Sequence, residues 1–83
     1  MTNDEIEQLL RVGFPLAEEI KVEGDGNKVA VTVVSQEFDA LRAVQKQQRV
    51  YACLGDMIAS GAIHAVSMRT LTPEEWRKMR MFG

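Results

Sequence analysis

The stretch Ile20-Lys21-Val22-Glu23-Gly24-Asp25-Gly26-Asn27-Lys28-Val29-Ala30-Val31-Thr32-Val33-Val34 decides the fold of this chain. Ile20 and Val22 alternate with Lys21 and Glu23. Val29, Val31 and Val33 share one face of a second run, with Ala30 and Val34 on the other. Alternation with a period of two is the pattern of a strand with one buried face. Gly24-Asp25-Gly26-Asn27 joins the two runs and supplies the residue types that tolerate a tight reversal. The stretch therefore predicts a β-hairpin. The same glycines argue against a phosphate cradle, which would open onto a helix N-terminus and not onto a second strand.

Upstream, Thr2 and Glu5 fit a capping box, Asp4, Glu5 and Glu7 favour the positive end of a helix, and Ile6, Leu9 and Leu10 recur at helical spacing. Gly13 and Pro15 end that helix. Downstream, residues 35–60 read as helical, capped by Ser35 or Asp39. One stripe runs through Phe38, Leu41 and Val44, and another through Val50, Leu54, Met57 and Ile58. The stripes fall out of phase across Gln45-Lys46-Gln47-Gln48. Two helices are therefore expected, with a bend near Ala43–Gln47, the second being longer and stopped by Gly61. A third strand is expected at about Ala65–Arg69. Thr72-Pro73-Glu74-Glu75 opens a last helix that turns Trp76 and Met79 toward the body and Arg77, Lys78 and Arg80 toward water. The order α-β-β-α-α-β-α, with helices packed on one face of a small three-stranded mixed sheet, is a two-layer α+β domain.

The chain has 83 residues, enough for one domain with a thin core and a stability of a few to about ten kcal/mol. Hydrophobic residues make up 46% and charged residues 27%, which fits a globular chain and not a disordered one. No apolar run approaches the roughly 20 residues of a membrane span. The acidic start Met1-Thr2-Asn3-Asp4-Glu5 lacks the pattern of an export signal, and one cysteine forms no internal disulfide. A cytoplasmic, reducing setting is expected. The net charge of −2 is unevenly spread: residues 1–39 carry −6 and residues 40–83 carry +4. Such an asymmetry suits a face for an anionic partner and equally an ordinary dipolar surface.

Little here points to catalysis. Cys53 and His64 are the one thiol and the one imidazole. Cys53 is expected in the middle of the second long helix, about 10 Å of helical rise from the strand start that holds His64. Between Ala52 and Leu54 it reads as a small, half-buried residue. No carboxylate pair stands out as an acid–base couple. A self-contained zinc or iron–sulfur site normally takes four Cys or His ligands, and this chain has two such residues. Any metal bound by His64 must therefore draw most of its other ligands from a partner molecule. Arg42, Lys46 and Arg49, followed by Tyr51, would suit phosphate contacts, although the chain is acidic overall and Lys, Arg and Gln are also plain helix formers.

Two stretches carry a resemblance. Phe38-Asp39-Ala40-Leu41-Arg42-Ala43-Val44-Gln45-Lys46-Gln47-Gln48-Arg49-Val50-Tyr51 leads to Leu54, and Ile63-His64-Ala65-Val66-Ser67-Met68-Arg69-Thr70 is followed by Thr72-Pro73-Glu74-Glu75-Trp76. Together they resemble the BolA-like family over nearly the whole chain, and within it the IbaG-type branch. The resemblance implies a class II KH-like fold and a non-enzymatic role beside a monothiol glutaredoxin in iron–sulfur cluster trafficking or iron homeostasis. It implies a [2Fe–2S] cluster bridged between the glutaredoxin cysteine, a glutathione thiol and this chain, with the family's histidine ligand falling on His64. The isolated protein is then expected to hold no cofactor and to be a monomer or weak homodimer. Many family members carry a second His or Cys ligand between the first two strands. Here Glu23-Gly24-Asp25-Gly26-Asn27-Lys28-Val29 has neither, which leaves Asp25 or water as a weak second ligand. Arg42, Lys46, Arg49, Arg69, Arg77 and Lys78 are the candidate contacts to the partner or to nucleic acid. The resemblance also admits a DNA-binding transcriptional regulator, and a metal-free partner-binding module. The Gly-x-x-Gly loop that KH domains use to clamp RNA is missing at Ala43–Gln47.

Overall fold

The computed structural model describes residues 2–25 and 28–82, apart from the side chains of Asp25 and Phe82. The elements are α1 (Asn3–Gly13), β1 (Glu19–Asp25), β2 (Lys28–Val34), a 3-10 turn (Gln36–Phe38), α2 (Ala43–Cys53), α3 (Gly55–Ala59), β3 (Ala65–Leu71) and α4 (Pro73–Phe82). The sheet order is β1-β2-β3. β1 and β2 pair antiparallel, with Val22 opposite Val31. β2 and β3 pair parallel, with Lys28 opposite Ala65 and Val34 opposite Leu71. The expected mixed three-stranded α+β domain and its element order are both found. Parallel pairing needs a long crossover, which α2 and α3 supply.

The hairpin forms for the reasons its sequence suggests. Gly24 has φ +111, and a Cβ there would collide with the carbonyl oxygen of Lys28. Val29, Val31 and Val33 are buried while Lys28 and Ala30 are exposed. These valines pack against Ile6 and Leu10 of α1, Val50 of α2, Leu54, and Met57 of α3 in one core. Phe14 and Phe38 close one end of it, with ring centroids 5.2 Å apart and planes tilted by 59°, a favoured aromatic arrangement. Thr2 and Glu5 form the expected capping box at the start of α1.

Residues 35–60 depart from the expectation. The bend does not lie at Ala43–Gln47, and the segment before it is a 3-10 turn instead of a helix. Ser35 is fully buried, and its hydroxyl accepts the Glu37 N–H at 3.1 Å, which starts the tight turn that buries Phe38. Val44 is exposed, so Phe38, Leu41 and Val44 never formed one stripe. The long helix begins at Ala43, where the Arg42 N–H donates to Gln45 Oε1 at 2.9 Å. The break comes at Leu54, whose N–H bonds back to Tyr51 and whose side chain is buried in the core. Cys53 is therefore the last residue of α2 and not the middle of a helix. Gly61, at φ +82, stops the segment as expected. β3 runs two residues beyond Arg69, to Leu71.

α4 departs from the one-face picture. Lys21 alternates with core-facing Ile20 and Val22, and its ammonium lies 5.1 Å from the Trp76 ring centroid. Trp76 thus reaches the sheet face opposite α1 and α2. Val34, fully buried yet outside the main core, points to that same face. Trp76 is half-buried, whereas Met79 stays exposed.

Candidate functional site

His64 stands immediately before β3 and is exposed. The turn that delivers it is firmly held. The N–H groups of Ala62 and Ile63 both donate to the Met57 carbonyl, at 3.0 and 3.3 Å, and the Ser60 hydroxyl donates to the same oxygen at 3.1 Å. Ile63 is buried in the core, so its neighbour is fixed at the backbone while the imidazole faces water. A Cβ placed on Gly61 would lie 3.9 Å from His64 Nε2.

The parallel register decides what else is near. Lys28 opens β2 opposite Ala65, which opens β3. The β1–β2 turn and His64 therefore share one end of the sheet. Asn3, at the start of α1, reaches the same end, where its Nδ2 donates to the Gly24 carbonyl at 3.3 Å. The Asp25 backbone pairs with Lys28, but its side chain lies outside the described residues, as does the proposed ligation by it. No cluster of three or more His, Cys, Asp or Glu side chains suited to a metal occurs among the described residues. Among the described residues the donor set around His64 is thus one imidazole, a fraction of a metal site.

Cys53 belongs to a different end. Its sulfur would clash with a Cβ on Gly13, the last residue of α1, and its thiol donates to the Arg49 carbonyl at 3.4 Å. Gly13 is about 15 Å along α1 from Asn3. Burial pushes the Cys53 thiol up, outweighing the nearby Arg49 charge. It is a protonated, half-buried thiol, as its apolar neighbours suggest.

The basic residues divide between structural and free roles. The Arg49 guanidinium donates to the Glu37 carboxylate and to the Gly13 carbonyl (3.2 Å), and it lies 4.8 Å from the Phe14 ring centroid. It ties α2 to the α1–β1 corner, an arrangement the sequence gives no local sign of. Arg42 is exposed at the start of α2 and Lys46 is half-buried one turn on. Arg69 is exposed on the sheet face opposite α1 and α2, beside Glu23, Thr32 and Ser67. Arg77 and Lys78 are exposed on α4, with Lys78 3.4 Å from Glu74. Five of these six residues lie on three elements, α2, β3 and α4, and Arg42 caps α2. No helix among the described residues is long and apolar enough to cross a membrane.

A family model described as BolA-like protein matches residues 16–75. The acid stress protein IbaG of Escherichia coli K12 is 42% identical over 80 residues, which cover 96% of this chain and 94% of that one. The DNA-binding transcriptional regulator BolA of Haemophilus influenzae is 35% identical over 54 residues, 65% of this chain and 52% of that one. The solved structure of a BolA protein homologue from Coxiella burnetii matches with a TM-score of 0.78 at 32% identity, covering 93% and 97% of the two chains. The fold thus has its counterpart in known proteins, and the chain belongs to the BolA-like family.

Proposed function

We propose that this chain is a non-enzymatic adaptor that shares a [2Fe–2S] cluster with a monothiol glutaredoxin, through His64, in iron–sulfur cluster trafficking or iron homeostasis. The observation that carries the reading is the exposed imidazole on a hydrogen-bonded turn with no second donor set around it among the described residues. One such nitrogen is too little for a resident metal and suits a cargo cluster whose other ligands come from the partner and from glutathione. Replacing one thiolate by a neutral imidazole raises the cluster's potential and changes its lability. A reducing compartment such as the cytosol suits both the thiolate ligands and the free Cys53.

The test is reconstitution. The chain is mixed with a monothiol glutaredoxin, glutathione, ferrous iron and sulfide, and passed over a sizing column. The reading expects a coloured heterocomplex with one copy of each chain. A cluster that stays wholly on the glutaredoxin homodimer contradicts it.

A second reading, a DNA-binding regulator, is favoured by the name of the Haemophilus influenzae relative. Arg42 and Lys46 would then meet phosphates. Retardation of duplex DNA at low salt, abolished by Arg42→Glu with Lys46→Glu and by raised salt, would support it. An absence of retardation at 20 mM salt removes it.

A further inference from the structure

α1 carries more apolar surface than its core uses. Ile6 and Leu10 are buried, whereas Leu9 and Val12 beside them are 37% and 81% exposed. These two residues line two grooves that run on from each other. One, of about 530 Å³, lies between α1 and Met57 of α3. The other, of about 350 Å³, lies between the end of α1 and Ala52 and Cys53 of α2. Together they make a trough along α1 with an apolar floor.

Its two halves differ in charge. Asp4 and Glu5 line the first half, no Lys or Arg does, and Asp56 is exposed next to Met57. None of these three carboxylates takes part in an ion pair among the described residues. Arg11 of α1 is held by Glu7 at 2.9 Å. Arg49, which lines the second half, is taken up by Glu37 and the Gly13 carbonyl. Glu5 caps its own helix, so Asp4 and Asp56 are left to meet something else.

From Asp4 to Val12 α1 rises about 12 Å, a little over two turns. A trough walled by helices admits another helix lying along it, whose apolar anchors recur three and four residues apart. An extended strand would leave backbone N–H and C=O groups unpaired against the apolar floor. The unpaired carboxylates call for Lys or Arg on the flank of the occupant.

We infer that the trough along α1 docks a cationic amphipathic helix of another protein. Its apolar face rests on Leu9, Val12 and Met57, and its Lys or Arg residues face Asp4 and Asp56. The contact uses neither His64 nor a metal, and therefore stands or falls apart from the cluster reading.

The probe is a synthetic leucine–lysine peptide of about 14 residues, near the shortest length that holds a helix in water. Its leucines recur at helical spacing, and it carries a fluorescent label. Anisotropy with the full chain should show saturable binding, weakened by salt. Val12→Lys, which removes apolar contact outside the core, and Asp4→Lys with Asp56→Lys, which spares the Glu5 cap, each weaken it at least about tenfold. A peptide of the same composition without an apolar face binds at least about tenfold more weakly. A leucine–glutamate peptide of the same spacing binds the Asp4→Lys, Asp56→Lys chain in preference to the native one. Amide NMR shifts on binding should cluster on α1 and around Met57. Circular dichroism checks that each variant folds. Absence of saturable binding at 1 mM chain overturns the inference, as do equal binding of the rearranged peptide, indifference to these substitutions, or shifts centred on the sheet or α4. The same α1 shifts produced by concentrating the chain alone would mean that a second copy covers the trough, and also overturn it.

Discussion

Arg49 and Glu37 form an ion pair across the corner where α1 ends and α2 begins its second turn. The same Glu37 carboxylate accepts the Ser35 hydroxyl at 2.9 Å and the Leu16 N–H at 3.3 Å. Three separate segments meet at one side chain. Arg49→Ala should therefore lower stability by about 1–2 kcal/mol through lost charged hydrogen bonds and lost packing on Phe14. Urea denaturation measures this directly.

The same carboxylate makes stability depend on acid. Burial pushes the Glu37 carboxyl up, but hydrogen bonds from Ser35, Arg49 and the Leu16 N–H, with the Arg49 charge, together hold it below its ordinary value near 4.5. A carboxyl lowered in the folded state adds stability above its unfolded value, and this is lost as pH falls through the folded value. Stability should thus be flat near neutrality and decline below about pH 4.5. Glu37→Gln should be less stable at pH 7, and the difference from the native chain should shrink at pH 3. Thermal melts at both values check the sign.

Gly13 and Cys53 touch so closely that a Cβ on one meets the sulfur of the other. Gly13→Ala should gain little or lose stability in the native chain, yet stabilise the Cys53→Ala variant by up to about 1 kcal/mol, since alanine is the better helix residue. A double-mutant cycle reads the coupling. The raised thiol also predicts slow alkylation of Cys53 by iodoacetamide at pH 7, below the rate of a free cysteine.

Much of this was legible in the residues and some was not. The hairpin was plain because alternation and a turn signal agree locally. The two ends of the 35–60 segment were harder. Phe38 looked like the start of a helical stripe, and only the buried Ser35 hydroxyl shows it closing a tighter turn. The start of the long helix lay in Gln45, a capping partner three residues past Arg42 that a search for Ser, Thr or Asp passes over. At the site, His64 could be singled out by count alone. Its rigid support by the Met57 carbonyl and its nearness to the β1–β2 turn depend on strand register, which sequence spacing does not reveal. The structural employment of Arg49 is long-range for the same reason, since its partners lie 12 and 36 residues away.

Gly61 supports His64 through its backbone. Its φ of +82 is one that other residues rarely adopt, and the imidazole stands at ordinary contact distance from a Cβ there. Gly61→Ala should cost about 1 kcal/mol and shift the turn that presents the ligand. A lower melting temperature, with slower cluster capture from the glutaredoxin homodimer, is the expected pair of results.

The central claim is that His64 ligates a cluster completed by another molecule. Visible-region circular dichroism of the reconstituted mixture with monothiol glutaredoxin and glutathione tests it most directly, comparing the native chain with His64→Ala. Because His64 is exposed and outside the core, the variant should fold normally. The account predicts a spectrum distinct from that of the glutaredoxin homodimer with the native chain, and reversion to the homodimer spectrum with His64→Ala. An unchanged heterocomplex spectrum in the variant would contradict it.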